Sequence, residues 1–283
     1  MRSGTGWECR GTRTSNPWRS CSTGLYFLYE KIRVEKNRVP VIEQEDGESE
    51  PERITGGWLL EINNYNEPEN IVFTEGNGKP FWVMPHSPDS LGNEQRAYIT
   101  ALLERADSAI YLTDKNDRTW ERFIDIDSLA IYYVVQEIVD NPEAFSGSCY
   151  MYKQRGDSTK LIFGPLWDCD HTYYRIKNPD YGFNEFIYEN IPANWYSRWI
   201  GEIARFPHFQ ERVRHHWQMF VNEVYPQMDA FMDDFVARIE QAGNSDYERW
   251  PQYHGKNPSA KLNLYCKPAF HKKVAWLNSQ WGQ

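Results

Sequence analysis

Residues 163–174 read FGPLWDCDHTYY and are the most informative stretch of this 283-residue chain. An apolar run ends at Phe163, Gly164-Pro165 turns the chain, and Trp167 precedes two aspartates, Asp168 and Asp170, with Cys169 between them. In extended backbone, residues i and i+2 project to the same side. An extended course here therefore forces two carboxylates together beside bulky apolar groups. At about 4 Å and an effective dielectric near 20, two like charges repel by roughly 4 kcal/mol. A cation, a proton or a basic side chain must offset that repulsion. A hard divalent ion is one solution, since Mg2+ is held by one or two carboxylates together with nucleotide phosphates. The residues alone leave a plainer arrangement open, in which Asp168 caps a turn and Asp170 lies in solvent.

Working outward, 148–153 and 160–163 read as strands joined by the polar turn 154–159. Before them, 129–139 reads as a helix capped by Asp127 and Ser128. Ile131, Tyr132, Val134, Val135 and Ile138 make it apolar on most sides, which predicts a place deep in the core. Asn141-Pro142-Glu143 follows in a loop. A side-chain amide and a carboxylate there suit metal binding or the orientation of an attacking hydroxyl. They equally suit a helix stop, with Asn141 as C-cap and Pro142 as terminator.

Further toward the N-terminus, Tyr26, Leu28 and Glu30 alternate as a strand, with 36–42 as its partner. The run 43–53 is acidic and lacks apolar residues, so a solvated loop is expected. Trp58 to Ile62 and Pro80 to Met84 are further strands, so 24–85 reads as an antiparallel meander. A helix over 93–111, capped by Asp89 or Ser90, carries Tyr98, Leu102, Leu103, Ala106 and Ile110 on one face. Downstream, Val213, Trp217, Phe220, Val224, Met228, Phe231, Phe235 and Ile239 recur at helical steps, and Pro226 should kink or split that helix. The stretch 247–283 shows helical patches without clear bounds. Residues 1–22 show no period and no apolar core of a signal peptide, and are expected to lie outside the native fold. The remaining 23–283 reads as one domain, β-rich over 24–88 and mainly helical over 89–283.

The net charge of −9 argues against general nucleic-acid binding and suits a basic protein partner or metal cations. No apolar run is long enough to span a membrane. Five cysteines without a CxxC pair suggest neither zinc nor a disulfide framework, and Cys149 and Cys169 read as buried thiols. Twelve Trp and 18 Tyr point to a large aromatic core, with a sugar-stacking face as the competing reading. There is no Gly-x-Ser-x-Gly elbow, P-loop or dinucleotide glycine pattern. His171 and the pair His215-His216 lack ligand-type spacing, and the pair reads as helix surface.

Several segments together resemble the spore-coat protein H (CotH) kinase-like family, known from bacteria. They are GLYFLYE at 24–30, GGWLLE at 56–61, Glu94-Gln95 with Tyr98-Ile99, FIDIDSL at 123–129, Glu137 with Asn141, YMYK at 150–153 and FGPLWDCD at 163–170. The resemblance covers residues 24–174 and continues more weakly from Trp195 to Trp217. It implies an α+β, divergent protein-kinase-like fold of two lobes: an antiparallel strand meander followed by a mainly helical lobe. It also implies ATP and Mg2+ (or Mn2+) as cofactors and phosphoryl transfer to serine of a protein, Ser-rich and basic in character. By the resemblance Asp168 is the metal-binding aspartate, Asp170 a second ligand, Asn141 a further metal contact, and Glu143 the catalytic carboxylate. Glu30 and Glu61 match strand glutamates that either face the nucleotide or simply pair a cation, and Lys153 is a candidate phosphate contact, with a surface lysine at a strand end as the other reading.

The chain departs from the family pattern in three ways. Glu143 stands where the family usually has aspartate, one methylene shorter. The basic Arg-Gly-Asn segment that normally precedes the first strand is only echoed by Arg10-Gly-Thr-Arg-Thr-Ser15. Family members are often exported, and this chain shows no export signal. A phosphate-anchoring lysine in the N-terminal lobe is missing, so a kinase-like binding or surface-assembly module without turnover is the alternative.

Overall fold

The computed structural model describes residues 29–173, 176, 181–189, 198–251 and 258–283. The expectation for 1–22, and most of the strand expected at 26–30, fall outside these residues. Tyr29 and Glu30 are exposed and belong to no strand. The expected partner at 36–42 is instead a turn at Lys36–Arg38, closed by a single bridge between Val34 and Val39.

The chain divides into two compact units. One comprises Ile32–Phe220 with Lys272–Gln283, and the other comprises Val221–His271 with the segment ending at Lys31. The first unit is α+β. Its strands are β1 (Trp58–Asn63), β2 (Ile71–Thr74), β3 (Pro80–Ser87), β4 (Cys149–Lys153) and β5 (Leu161–Phe163). They form one antiparallel sheet in the order β2-β3-β1-β4-β5. A meander would keep sequence order, but here β3 lies between β1 and β2. The reason is β1 itself: its WLLEIN run is buried along almost its whole length, which suits a central strand paired on both edges. Gly56 and Gly57 lead into it. A Cβ on Gly56 would lie 1.8 Å from the Gln154 carbonyl oxygen, and Gly57 adopts φ +92°. Only glycine tolerates either constraint.

Helix α1 (Asn93–Ile110) starts at Gly92 rather than at Asp89 or Ser90, because Gln95 Oε1 reaches back to accept from the Gly92 N–H at 2.7 Å. The amide of Gln95 also donates to Gln44 Oε1 at 2.7 Å. Gln44 and Glu48 are buried, so the acidic run is tied down in part rather than a wholly solvated loop. Helix α2 (Ile126–Ile138) is capped by Asp125, whose carboxylate accepts from the Ser128 N–H at 2.8 Å. Asp127, expected to cap, instead meets His216 Nε2 of α4 (Pro207–Met219) at 2.9 Å, which leaves His216 half-buried and only His215 exposed. α2 lies deep in the core as expected, with Ile131 its one exposed large apolar side chain among the described residues. A short helix α3 (Ile200–Ile203) precedes α4.

Much of the aromatic surplus among the described residues is core, although Tyr29, Tyr65, Tyr265 and Phe231 are exposed. Tyr133 packs its ring 5.6 Å from Trp281 and 5.9 Å from Phe209, and Trp217 lies 5.6 Å from Trp281. No described tryptophan is exposed, which leaves the sugar-stacking reading without an exposed tryptophan row among the described residues.

The second unit holds α5 (Tyr225–Arg249), α6 (Pro258–Lys261) and the start of α7 (Lys267–Trp281). Pro226 sits in the first turn of α5, directly after a π-helical turn at Phe220–Val224, where its missing N–H costs nothing. Lys267 Nζ meets Asp233 Oδ1 at 2.7 Å and Tyr225 pairs with His271 at 3.2 Å. No described helix is long and apolar enough to cross a membrane.

Candidate active site

The site begins where α2 stops. Asp140 takes φ +48°, and the Asn141 N–H donates back to the Gln136 carbonyl at 3.2 Å. Asn141 is buried and uses its amide twice. Oδ1 accepts from the Glu143 N–H at 3.2 Å, and Nδ2 donates to Gln136 Oε1 at 3.1 Å. The Ser146 N–H then bonds the Glu143 carbonyl at 2.8 Å. The helix is therefore capped at Val139 and stopped by the left-handed Asp140 rather than by Asn141 as C-cap, and Asn141 organises the turn that presents Glu143. Glu143 Oε1 accepts from Asn64 Nδ2, just past β1, at 2.8 Å. This approach needs Gly147, since a Cβ there would lie 2.7 Å from Asn64 Nδ2.

The second strand of the site leaves β5 through Gly164, at φ +124°, and a cis Gly164–Pro165 bond. Trp167 packs against Val39, Val41, Leu59 and Tyr150. Asp168 then adopts φ +53°, a left-handed conformation, so the extended-chain premise fails at this residue. The two aspartates consequently take different partners. Asp168 Oδ2 accepts from Ser148 Oγ at 3.4 Å, and the Ser148 N–H donates to Glu61 Oε1 at 3.1 Å. Glu61 Oε2 meets His86 Nε2 at 2.6 Å. Asp170 Oδ1 lies 3.1 Å from His171 Nδ1, and that nitrogen lies 2.6 Å from Glu143 Oε2.

Burial and these carboxylates shape the titration of their neighbours. The Tyr150 hydroxyl is held well above the usual tyrosine range, first by burial, then by Glu61 and, more weakly, Asp168. The Cys169 thiol is raised by desolvation and by Asp168 and Asp170 beside it. Cys169 is nonetheless exposed as a residue, against the expectation of a buried thiol, because the left-handed turn carries it outward, whereas Cys149 in β4 is buried.

Of the residues singled out from the sequence, Glu143 and Asp170 come together, Asn141 supports them from beneath, and Asp168 and Glu61 form a chain alongside through Ser148. Lys153 is elsewhere. It is buried at the end of β4, and its ammonium donates to the Gly156 carbonyl and Thr159 Oγ1, both at 2.8 Å, and to the carbonyls of Thr55 and Gln154. Desolvation lowers its pKa to about 8. Glu30 is exposed in irregular chain.

Four residues of the arrangement escaped the sequence: His171, Asn64, Ser148 and His86. His171 has no ligand-type spacing in the sequence, because its partner Glu143 lies 28 positions upstream and only the turn at 141–147 brings it close. The one signal in the sequence was its position directly after Asp170.

A model of the family described as CotH kinase protein matches residues 20–278. The chain belongs to the CotH kinase protein family. No curated protein and no solved structure matches it. Membership carries a kinase-like function in its coarse form, and chemistry of that kind commonly uses a divalent ion. The donor set here suits one. Glu143, Asp170 and His171 each offer a ligand atom within 4.8 Å of the others, and the group reaches solvent through Asp170. Two carboxylate oxygens and an imidazole nitrogen are common ligands of divalent first-row metals. Asp168 is not in this group, although it belongs to the same loop.

Proposed function

We propose that this protein is a kinase-like phosphotransferase of divergent two-lobed fold that uses ATP and Mg2+ or Mn2+ and delivers the γ-phosphate to a serine hydroxyl of a basic protein. The observation that carries the reading is the convergence of Glu143, Asp170 and His171 from two separate loops. Glu143, Asp170 and His171 would hold a divalent ion, with Asp168 and Asn141 bordering it. Such an ion neutralises phosphate charge during transfer. Glu143 is the carboxylate placed to orient the acceptor hydroxyl, and Asn64 fixes its rotamer by occupying Oε1. The His86-Glu61-Ser148 chain holds Asp168 in its left-handed conformation. The net charge of −9 suits a basic acceptor.

The test is incubation with labelled ATP, Mg2+ or Mn2+ and a Ser-rich basic protein, with Asp168→Ala and Glu143→Ala run in parallel. Transfer to serine by the parent and its loss in both variants is the expected result. Equal thermal shifts with Mg2+-ATP in Glu143→Ala and parent count against a metal-nucleotide site at this position.

One observation favours a second reading, a kinase-like binding module without turnover. Lys153, the lysine matched to a phosphate contact, spends its donors on protein oxygens. Nucleotide binding without any phosphotransfer is the outcome that selects it.

A further inference from the structure

Behind the Asn141–Glu143 turn lies a charged cluster closed off from solvent. Lys273, in the part of α7 that belongs to the first unit, is completely buried. Its ammonium donates to the Glu185 carbonyl at 2.6 Å and lies in ion-pair reach of two carboxylates, with Glu137 Oε2 and Asp140 Oδ1 both at 3.0 Å. Glu137 is in the last turn of α2 and its other oxygen accepts from the Ile187 N–H at 3.0 Å. Asp140 is outside the helix, at φ +48°, immediately before Asn141. Its Oδ1 also accepts from Tyr181 Oη at 3.1 Å. One ammonium therefore ties the body of α2 to the first residue of the site loop.

The placement is expensive unless it has a use. A buried ion pair gains little over apolar side chains of the same volume, whereas removing one partner leaves an uncompensated charge. Glu137 and Lys273 alone would anchor α7 to α2. The second carboxylate is unnecessary for that anchor, and it sits on a residue that must adopt a disfavoured backbone conformation. That conformation turns the chain out of α2 and sets the direction in which Asn141 and Glu143 leave it.

We propose that Lys273 is a positioning residue. By holding Asp140 in its left-handed conformation, it makes α7 set the aim of the Asn141–Glu143 turn toward Asp170 and His171. The two carboxylates on one ammonium then have separable duties, Glu137 for stability and Asp140 for loop placement. The ion-binding arm of the test rests on the phosphotransferase reading, and the loop-order arm does not.

The experiment uses the full chain and four variants: Glu137→Gln, Asp140→Asn, Lys273→Met and Lys273→Arg. Amide hydrogen exchange is followed over 141–147, Mn2+ affinity by electron paramagnetic resonance, and Tm by calorimetry. Asp140→Asn is expected to speed exchange over 141–147 and to weaken Mn2+ binding about tenfold, with little change in Tm. Glu137→Gln is expected to change Tm while leaving loop exchange and Mn2+ affinity near the parent values. Lys273→Met should show both effects, and Lys273→Arg should restore loop protection. Should Lys273→Met not fold, the contrast between Asp140→Asn and Glu137→Gln decides. Parental exchange over 141–147 in Asp140→Asn, or equal acceleration in Glu137→Gln, overturns the proposal. If the parent binds no Mn2+ and the exchange contrast still appears, the phosphotransferase reading falls and the positioning role stands.

Discussion

Asp170→Asn is the sharpest perturbation of the candidate site, because it removes one charge while keeping shape. Unit charges about 4 Å apart interact by roughly 1 kcal/mol in bulk water and roughly 4 kcal/mol at an effective dielectric near 20, and a divalent ion doubles both values. The Asp170 side chain is 74% exposed, so the solvent limit applies. The loss is then about 2 kcal/mol, or roughly thirtyfold in ion affinity. Glu143 is only 16% exposed, and Glu143→Gln therefore moves toward the higher limit, beyond a hundredfold by the same arithmetic. The assay is Mn2+ titration by electron paramagnetic resonance or calorimetry at low ionic strength, with Tm measured for each variant. The expected order of affinity is parent, then Asp170→Asn, then Glu143→Gln, with all three folded. An Asp170→Asn variant that binds Mn2+ as tightly as the parent refutes the claim that this carboxylate faces an ion.

Other outcomes follow from neighbouring features. His171→Asn removes an imidazole nitrogen and should weaken Zn2+ binding by about tenfold while altering Mg2+ and Mn2+ binding less, since nitrogen donors favour the later first-row metals; competition calorimetry reads the ratio. Lys153→Met strands the oxygens around the ammonium and should cost about 1–3 kcal/mol of stability, read by denaturant unfolding. Gly147→Ala puts a methyl 2.7 Å from Asn64 Nδ2, and overpacking of this kind costs about 1–3 kcal/mol, together with a weaker hold on Glu143. Glu137 gives a pH dependence. Burial raises its pKa to about 6 against an opposing pull from Lys273. A carboxyl raised in the folded state stabilises fully below its unfolded value of 4.5, and that contribution disappears as pH rises through about 6. Unfolding free energies between pH 4.5 and 7.5 should show the decline, and Glu137→Gln should flatten it.

The elements with strong local patterns were legible in the sequence. The WLLEI run announced a buried strand, the all-round apolar face of 129–139 announced a core helix, and 148–153 with 160–163 announced a strand pair. Each depends on side chains within one element, so composition and period suffice. The N-caps lie a few residues from the Asp and Ser that local sequence favours, at Gly92 for α1 and Asp125 for α2, because Gln95 and Asp125 win the competition for the orphan N–H groups.

The linear text by itself determined the family pattern, the α+β composition, and the location of the acidic chemistry in two short loops, Asn141-Pro-Glu143 and Asp168-Cys-Asp170. Only the tertiary structure decided how those loops meet. One left-handed residue, Asp168, turned the aspartates toward different partners, and the turn after α2 carried Glu143 to His171 across 28 residues of chain. It also enclosed Lys153 among carbonyls and brought Lys273 from near the C-terminus beneath Asp140. The physical reason is that backbone sign at a single residue and contacts between distant segments leave no period in a sequence, whereas burial and hydrogen bonding of one element do.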